Sequence, residues 1–495
     1  MKKYILIILC CLTSFPLWSY NVNMIVEHYS VDQGLPNNTV NCTLKDRDGF
    51  IWFGTWYGLC CFDGVKFKTF NKQEHDSDVP PRKIQRIVED KNGYIWVKTI
   101  DRKLYVFNKV TECFHAVYDD MKNYSENIQV IKLQNTAEGD VLLLTKDKNL
   151  LLAGVDEKGQ VTIKILFDSR DEINKHDYTL KHHVLCETEE YISWIGTDYK
   201  VAAVHKGSEL ASRPADFITS KINSGDKDSF TSFFEDGRKV WVGDRAGIFY
   251  SIDVRTGLVN RYVLSEIKGA ISNLLVTPAG YVYLSVAGQG TYEYDLAERR
   301  LQKINTEMND AMVTHAFIDQ YDKIWFHENE KALIYYDPLN HTAKRFPFTM
   351  FGKITTLYSE DAGERGLFFL SPAGEAWLFD REHAEMVYIN KLKQLSNDRA
   401  NQQFYHLMLD NDGVLWLSSA DEGVYCMNFP KKQFNLLSLS PQSAGQENYT
   451  IGVRALFQSK SGDIWVGTRW QSVYRMDRNG VTKHVFSTGD EHIGN

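Results

Sequence analysis

Proline is scarce in this sequence, 11 residues in 495, and cysteine is scarcer still at eight. With 13% aromatic and 43% apolar residues, that excludes a collagen-like or disordered chain. There is no basic block, and 56 Lys and Arg stand against 64 Asp and Glu for a net charge of −8. A nucleic-acid partner is therefore not expected, because such binding rests on neutralising phosphates with Lys and Arg. Beyond Tyr20 no apolar run approaches the roughly 20 residues that span a bilayer. The six cysteines after that point (Cys42, Cys60, Cys61, Cys113, Cys186 and Cys426) lack CxxC spacing, so neither a zinc site nor a disulfide framework is indicated. Buried free thiols are the expectation. HExxH, GxSxG, the P-loop and the dinucleotide fingerprint are also missing. His182, His183 and His327 have no partner at metal-ligand spacing. No catalytic residue, metal or cofactor is expected.

The first 19 residues read as a secretory signal peptide. Lys2 and Lys3 make the positive start, Ile5 to Leu12 the apolar stretch, and Ser19 the small residue for cleavage. The apolar stretch is too short for a membrane anchor. Cys10 and Cys11 lack the preceding small residues of a lipobox. An exported, periplasmic chain follows.

What is abundant is repetition. DRDGFIWFGTWYGLCCFD runs from Asp46 to Asp63, and SKSGDIWVGTRWQSVYRMD from Ser459 to Asp477. Related strings centre on Trp96, Trp194, Trp241, Trp325 and Trp416, and degenerate ones on Leu142, Tyr283 and Phe368. The ten anchors, with Trp52 and Trp465 at the two ends, are 42 to 52 residues apart, which is close to the period of propeller blades. Seven of the 11 tryptophans fall in this register.

Each repeated position has a physical task. Gly49, Gly93, Gly413 and Gly462 follow Asp, Asn or Ser in tight hairpin turns that need positive φ. The flanking segments alternate with period two and are rich in β-branched and aromatic residues, which means strands. A third strand closed by Asp or Asn and a fourth such as Lys66 to Phe70 complete a four-stranded blade. The tryptophans are expected to fill the wedge between blades, and most Asp residues to bond backbone at turns and strand ends. Such sheets cannot bury both faces alone and must stack into a ring. Met24 to Tyr29 aligns with a fourth strand, so the N-terminus is expected to complete a blade whose other strands come much later.

Ten blades exceed the usual four to eight. The expected fold is all-β: a seven-bladed β-propeller of four-stranded blades over residues 20–350, followed by part of a second propeller, about three repeats, over 351–495. A break near Pro441 to Asn448 is the alternative. The chain stops within the link that follows the tenth repeat, which predicts that it is a piece of a longer array.

Val31 to Phe70 and Val453 to Thr468 resemble the two-component regulator propeller repeat. That resemblance implies the periplasmic half of a hybrid two-component sensor of glycan-degrading gut bacteria. Such sensors carry two seven-bladed propellers, a small β-sandwich, a transmembrane helix, a histidine kinase, a receiver and a DNA-binding domain. It further implies an oligosaccharide ligand and a homodimer, with membrane attachment and kinase output in parts this chain does not contain.

Ligand contacts are expected in the turns after the Gly-Thr positions, where a rigid scaffold presents loops. These turns hold Trp56, Tyr57, Asp198, Tyr199, Arg245, His327, Glu328, Arg469 and Trp470. Aromatics stack on the apolar faces of sugars, while Arg, Asp and Glu hydrogen-bond to hydroxyls. The competing role for Trp56 and Trp470 is to cap the packing between blades. Other readings of the whole chain are a protein-interaction scaffold and a secreted glycan-active lyase or hydrolase.

Overall fold

Alternating repeats become antiparallel hairpins, and ten four-stranded sheets result. The structure is a computed structural model. It describes residues 25–70, 81–122, 129–170, 180–196, 201–207, 215–216, 230–304, 313–328, 331–351, 358–361, 366–371, 376–389, 404–428, 452–469, 472–477 and 481–487. The expected signal peptide, residues 1–19, and Asp198, Tyr199 and Trp470 lie outside them. Among the described residues helix is confined to one turn, Tyr118–Met121, and two 3-10 turns, Val31–Gln33 and Phe348–Phe351.

Eight sheets use four consecutive strands, and they are numbered here as blades 1 to 8: residues 40–70, 84–116, 130–167, 180–216, 230–263, 271–303, 313–347 and 358–389. Blade 9 takes three strands from residues 404–428. Its outer strand is Ile25–Tyr29, in register from Ile25 opposite Asn428 to Tyr29 opposite Val424. The expected strand exchange is therefore present, but it closes the ninth blade and not the seventh.

Packing confirms the closure. Nine apolar clusters join neighbouring blades, from blades 1 and 2 through Trp52 and Phe107 round to blades 8 and 9 through Phe368 and Leu417. The ninth joins blade 9 back to blade 1 through Trp416, Val424, Phe53 and Val40. The chain divides into compact units at 429/430. The expected boundary at 350 and the count of seven are corrected on this ground. Blade 7 buries Trp325 against Phe369 and Phe379 of blade 8, so no core ends at 350. Pro441 to Asn448, the alternative break, lies outside the described residues.

The second unit contains the tenth sheet, whose strands run from Val453–Gln458 to Thr482–Ser487. Its own cluster is small: Val466, Tyr474 and Met476. Leu456 and Phe457 on its first strand are 70% and 66% exposed. Trp465 is only half-buried, stacked on Phe486 and covered by the Arg475 guanidinium.

The repeat explains itself at atomic level. In blade 2 the buried Asp90 accepts through Oδ1 from the backbone N–H groups of Asn92 and Tyr94, and through Oδ2 from the indole of Trp96 at 2.8 Å. The same double use recurs with Asp46 and Trp52, Asp319 and Trp325, and Asp410 and Trp416. Gly49, Gly93, Gly413 and Gly462 have φ between 75° and 93°, as the turns require. Where Leu142 or Tyr283 replaces tryptophan, Thr136 or Thr277 replaces aspartate, and its hydroxyl accepts only from backbone. Glycine of the Gly-Thr pair is steric: a Cβ on Gly54 would meet Ile84 of the next blade at 2.6 Å, and one on Gly243 would meet Ile271 at 2.7 Å. Threonine closes the next hairpin, as Thr55 Oγ1 donates to the Gly58 carbonyl.

Every described inner strand except that of blade 8 carries a register irregularity near its start. Polar residues there stitch blades together. Asn41 donates to the Ile84 carbonyl, Thr231 to that of Ile271 and Asn273 to that of Val313.

Two outcomes are expected. Asp90→Ala orphans a buried indole and two backbone donors and should cost about 3 kcal/mol, against about 1 for Thr136→Ala; equal shifts in a urea titration would contradict the dual role of the aspartate. Deleting residues 20–29 bares the edge at Val424–Asn428. The shortened chain should melt lower and be cleaved faster by protease, whereas an unchanged melt would refute closure through this strand.

Candidate ligand-binding surface

Antiparallel topology sends the turns between first and second strands to one end of the ring and those between second and third strands to the other. The first set carries the Asp-rich turns. The second set holds Trp56 and Tyr57 of blade 1, which are 44% and 62% exposed and belong to no core cluster. Trp56 is therefore not a packing cap. Thr55 fixes its turn by accepting from the Tyr57 N–H.

Two cations from the link into blade 2 lie on these rings. The Lys83 ammonium is 5.3 Å from the Trp56 centroid, and the Arg82 guanidinium 5.9 Å from that of Tyr57. Backbone hydrogen bonds hold them there: Lys83 N–H donates to the Trp56 carbonyl and Ile100 N–H to the Lys83 carbonyl. Lys83 and Arg102 have left-handed backbone, φ 51° and 67°, at a cost of about 1–2 kcal/mol each for an L-residue.

Lys98 occupies in blade 2 the position that Gly54 holds in blade 1, each being second to last in its strand. Its side chain is 6% exposed, and its ammonium donates to Gln85 Oε1 at 2.6 Å. Burial and the nearby Arg102 guanidinium hold its pKa below the ordinary lysine value. Among the described residues no carboxylate pairs with Lys98, Arg82, Lys83 or Arg102.

The other sequence-predicted residues do not gather here. Arg245 is exposed in a turn of blade 5, and Arg469 is exposed in the second unit, its N–H donating to the Gly452 carbonyl. His327 and Glu328 are not turn residues: they occupy the Gly and Thr positions of the strand Ile324–Glu328. Glu328 is buried and bound by Arg345 at 2.9 Å, which makes it a framework residue. His327 Nδ1 lies 2.8 Å from Thr314 Oγ1, and Nε2 is buried without a partner. Burial and the neighbouring His315 hold its pKa below the ordinary histidine value. Arg82, Lys83, Lys98 and Arg102 were missed; the lysine in KNGYIWVKT, standing where glycine is usual, was the available signal.

A cavity of about 730 Å³ lies between the inner strands of blades 5, 6 and 7, with Phe233, Phe317, Asn273 and His315 in its wall. Asp46, Asp48 and Glu89 converge closely enough to hold a cation, and the Lys109 ammonium bonds all three at 2.6 to 3.0 Å. That cluster is an ion pair between blades 1 and 2. The six cysteines among the described residues are free thiols, and burial pushes those of Cys42, Cys60, Cys61 and Cys426 up to about 12.

Residues 34–57, the segment that leads into Trp56 and Tyr57, match the family profile described as two component regulator propeller. The chain carries that repeat. Several solved structures are similar to the chain at low identity. The extracellular domain of BT3049 from B. thetaiotaomicron, assigned to a hybrid two component system, is 14% identical with TM-score 0.33, over 94% of this chain and 67% of that one. The extracellular domain of BT4673 from the same organism, assigned likewise, is 16% identical with TM-score 0.29, over 93% and 62%. PorZ, a surface component of the type-IX secretion system of Porphyromonas gingivalis, is 14% identical with TM-score 0.31, over 92% and 70%. The chain thus spans about three-fifths to two-thirds of the two ectodomains. No curated protein matches it. No helix among the described residues is long and apolar enough to cross a membrane.

The central wall has an acid-sensitive point among the described residues. His406 on the inner strand of blade 9 has Nδ1 buried without a partner, and burial together with the Arg86 guanidinium holds its pKa down at about 4. The folded state keeps it neutral while the unfolded chain takes a proton near 6.5, so this contribution is complete above that pH and lost as pH falls toward 4. His406→Gln should flatten the fall in stability over this window by about 3 kcal/mol. Identical pH profiles for the two proteins would disprove it.

Proposed function

We propose that this chain is the extracellular, ligand-sensing region of a two-component signalling protein, exported to the periplasm, and that its ligand is a glycan-derived oligosaccharide. The observation that carries the reading is the Trp56–Tyr57 pair, exposed at a turn fixed by Thr55 and presented on a closed ring. A rigid scaffold bearing exposed aromatics at a hairpin turn suits a sugar, whose apolar faces stack while its hydroxyls take hydrogen bonds from neighbouring polar groups. The repeat matched at residues 34–57 supports a sensing role. On this reading the chain binds and does not catalyse, and dimerisation, membrane attachment and kinase output belong to a larger protein.

Isothermal titration with a panel of plant and host oligosaccharides tests it. At least one should bind, and Trp56→Ala should weaken that binding about fivefold or more without lowering the melting temperature. Binding that ignores Trp56 would move the site elsewhere. Steady release of shorter sugars from the panel would replace sensing with catalysis.

A further inference from the structure

The chain as a whole is acidic, yet the hairpin turns that close blades 2 and 3 at this end, with the last two residues of the link beside Trp56, are basic. They read Arg82-Lys83, Ile100-Asp101-Arg102-Lys103 and Lys146-Asp147-Lys148, six cations against two acids. Both acids are engaged, with the hydroxyl of Thr99 donating to Asp101 and that of Thr145 to Asp147.

Lys98 adds a second, independent observation. It is an ammonium removed from water whose one hydrogen-bond partner among the described residues is an amide oxygen, with a guanidinium nearby. Buried charges are normally paired, and an unpaired one weakens the fold. A neighbouring anion would relieve that cost, and Arg102, exposed and near enough to act on Lys98, offers a guanidinium to bind it.

Resting on the sensing role argued above, we infer that the ligand of the Trp56 surface is an acidic oligosaccharide. A sugar ring stacks on Trp56 or Tyr57, while its carboxylate or sulfate is held by Arg82, Lys83 and Arg102 over the field of Lys98. Guanidinium groups suit both anions, since their paired N–H donors match two oxygens.

The test compares tetragalacturonate, a sulfated chondroitin disaccharide and neutral maltotetraose by titration calorimetry on the whole chain. At least one acidic sugar should bind about tenfold or more tighter than the neutral one, and its affinity should fall as salt rises from about 50 to about 500 mM. Binding by tetragalacturonate alone assigns the site to carboxylates, and by the chondroitin sugar alone to sulfates. The exposed pair changed together, Arg82→Glu with Lys83→Glu, should remove most of this preference with the melting temperature unchanged. Lys98→Met, which replaces a buried charge by an apolar chain of similar length, should weaken acidic binding while the melting temperature holds or rises. Maltotetraose binding as tightly as the acidic sugars, indifferent to salt and to these changes, would overturn the inference and leave the sensing role standing. If no glycan in this set or in the wider panel binds, the sensing role itself fails.

Discussion

A carboxylate taken out of water must have its oxygens occupied or it weakens the fold. In four blades the buried aspartate meets that demand by tying two levels of structure together. One oxygen holds the turn between the first two strands, and the other receives the indole that fills the gap to the next blade. Local turn geometry and inter-blade packing therefore share one residue, and a blade cannot form its hairpin correctly without also orienting its wedge. Cations from neighbouring blades complete three of these sites: Lys109 beside Asp46, Arg381 beside Asp319 and Lys45 beside Asp410. The ring is thus held by apolar clusters in its middle and by ion pairs at one end.

That arrangement leaves the other end free for recognition. The turns after Gly-Thr need only a hydroxyl to close them, as Thr55, Thr99 and Thr145 show. Their remaining residues are unconstrained by packing and vary from Trp56-Tyr57 to Ile100-Asp101-Arg102. The scaffold and the surface are thereby separated along the strand axis.

Much of the fold was legible because period-two alternation and Gly-containing turns are local signals. Trp52, Trp96, Trp194, Trp241, Trp325 and Trp416 lie in the core as their register implied. Even the N-terminal strand was visible in Met24 to Tyr29. Its partner was not, because any blade accepts an outer strand of that pattern, and only the packing of blade 9 on blade 1 selects it. The site was half legible. Trp56 and Tyr57 stand directly after a Gly-Thr pair, but Arg82 and Lys83 reach them from the next link, a neighbourhood that sequence order does not reveal. His327 and Glu328 failed as turn residues because blade 7 replaces Gly-Thr itself, so they sit two positions earlier, in the strand.

The first strand of the ring waits for a partner 403 positions away, Ile25 beside Asn428. Loop-closure entropy grows only slowly with such a span, but long-range pairing delays folding. A chain crossing a membrane N-terminus first would present Ile25–Tyr29 long before Val424–Asn428 emerges. Until then the strand Ile25–Tyr29 and the face of blade 1 that packs on blade 9 are both unguarded, so closure of the ring waits for residues 424–428. For this protein, the risk of mispairing with other chains is concentrated in that interval and ends abruptly when the seam shuts.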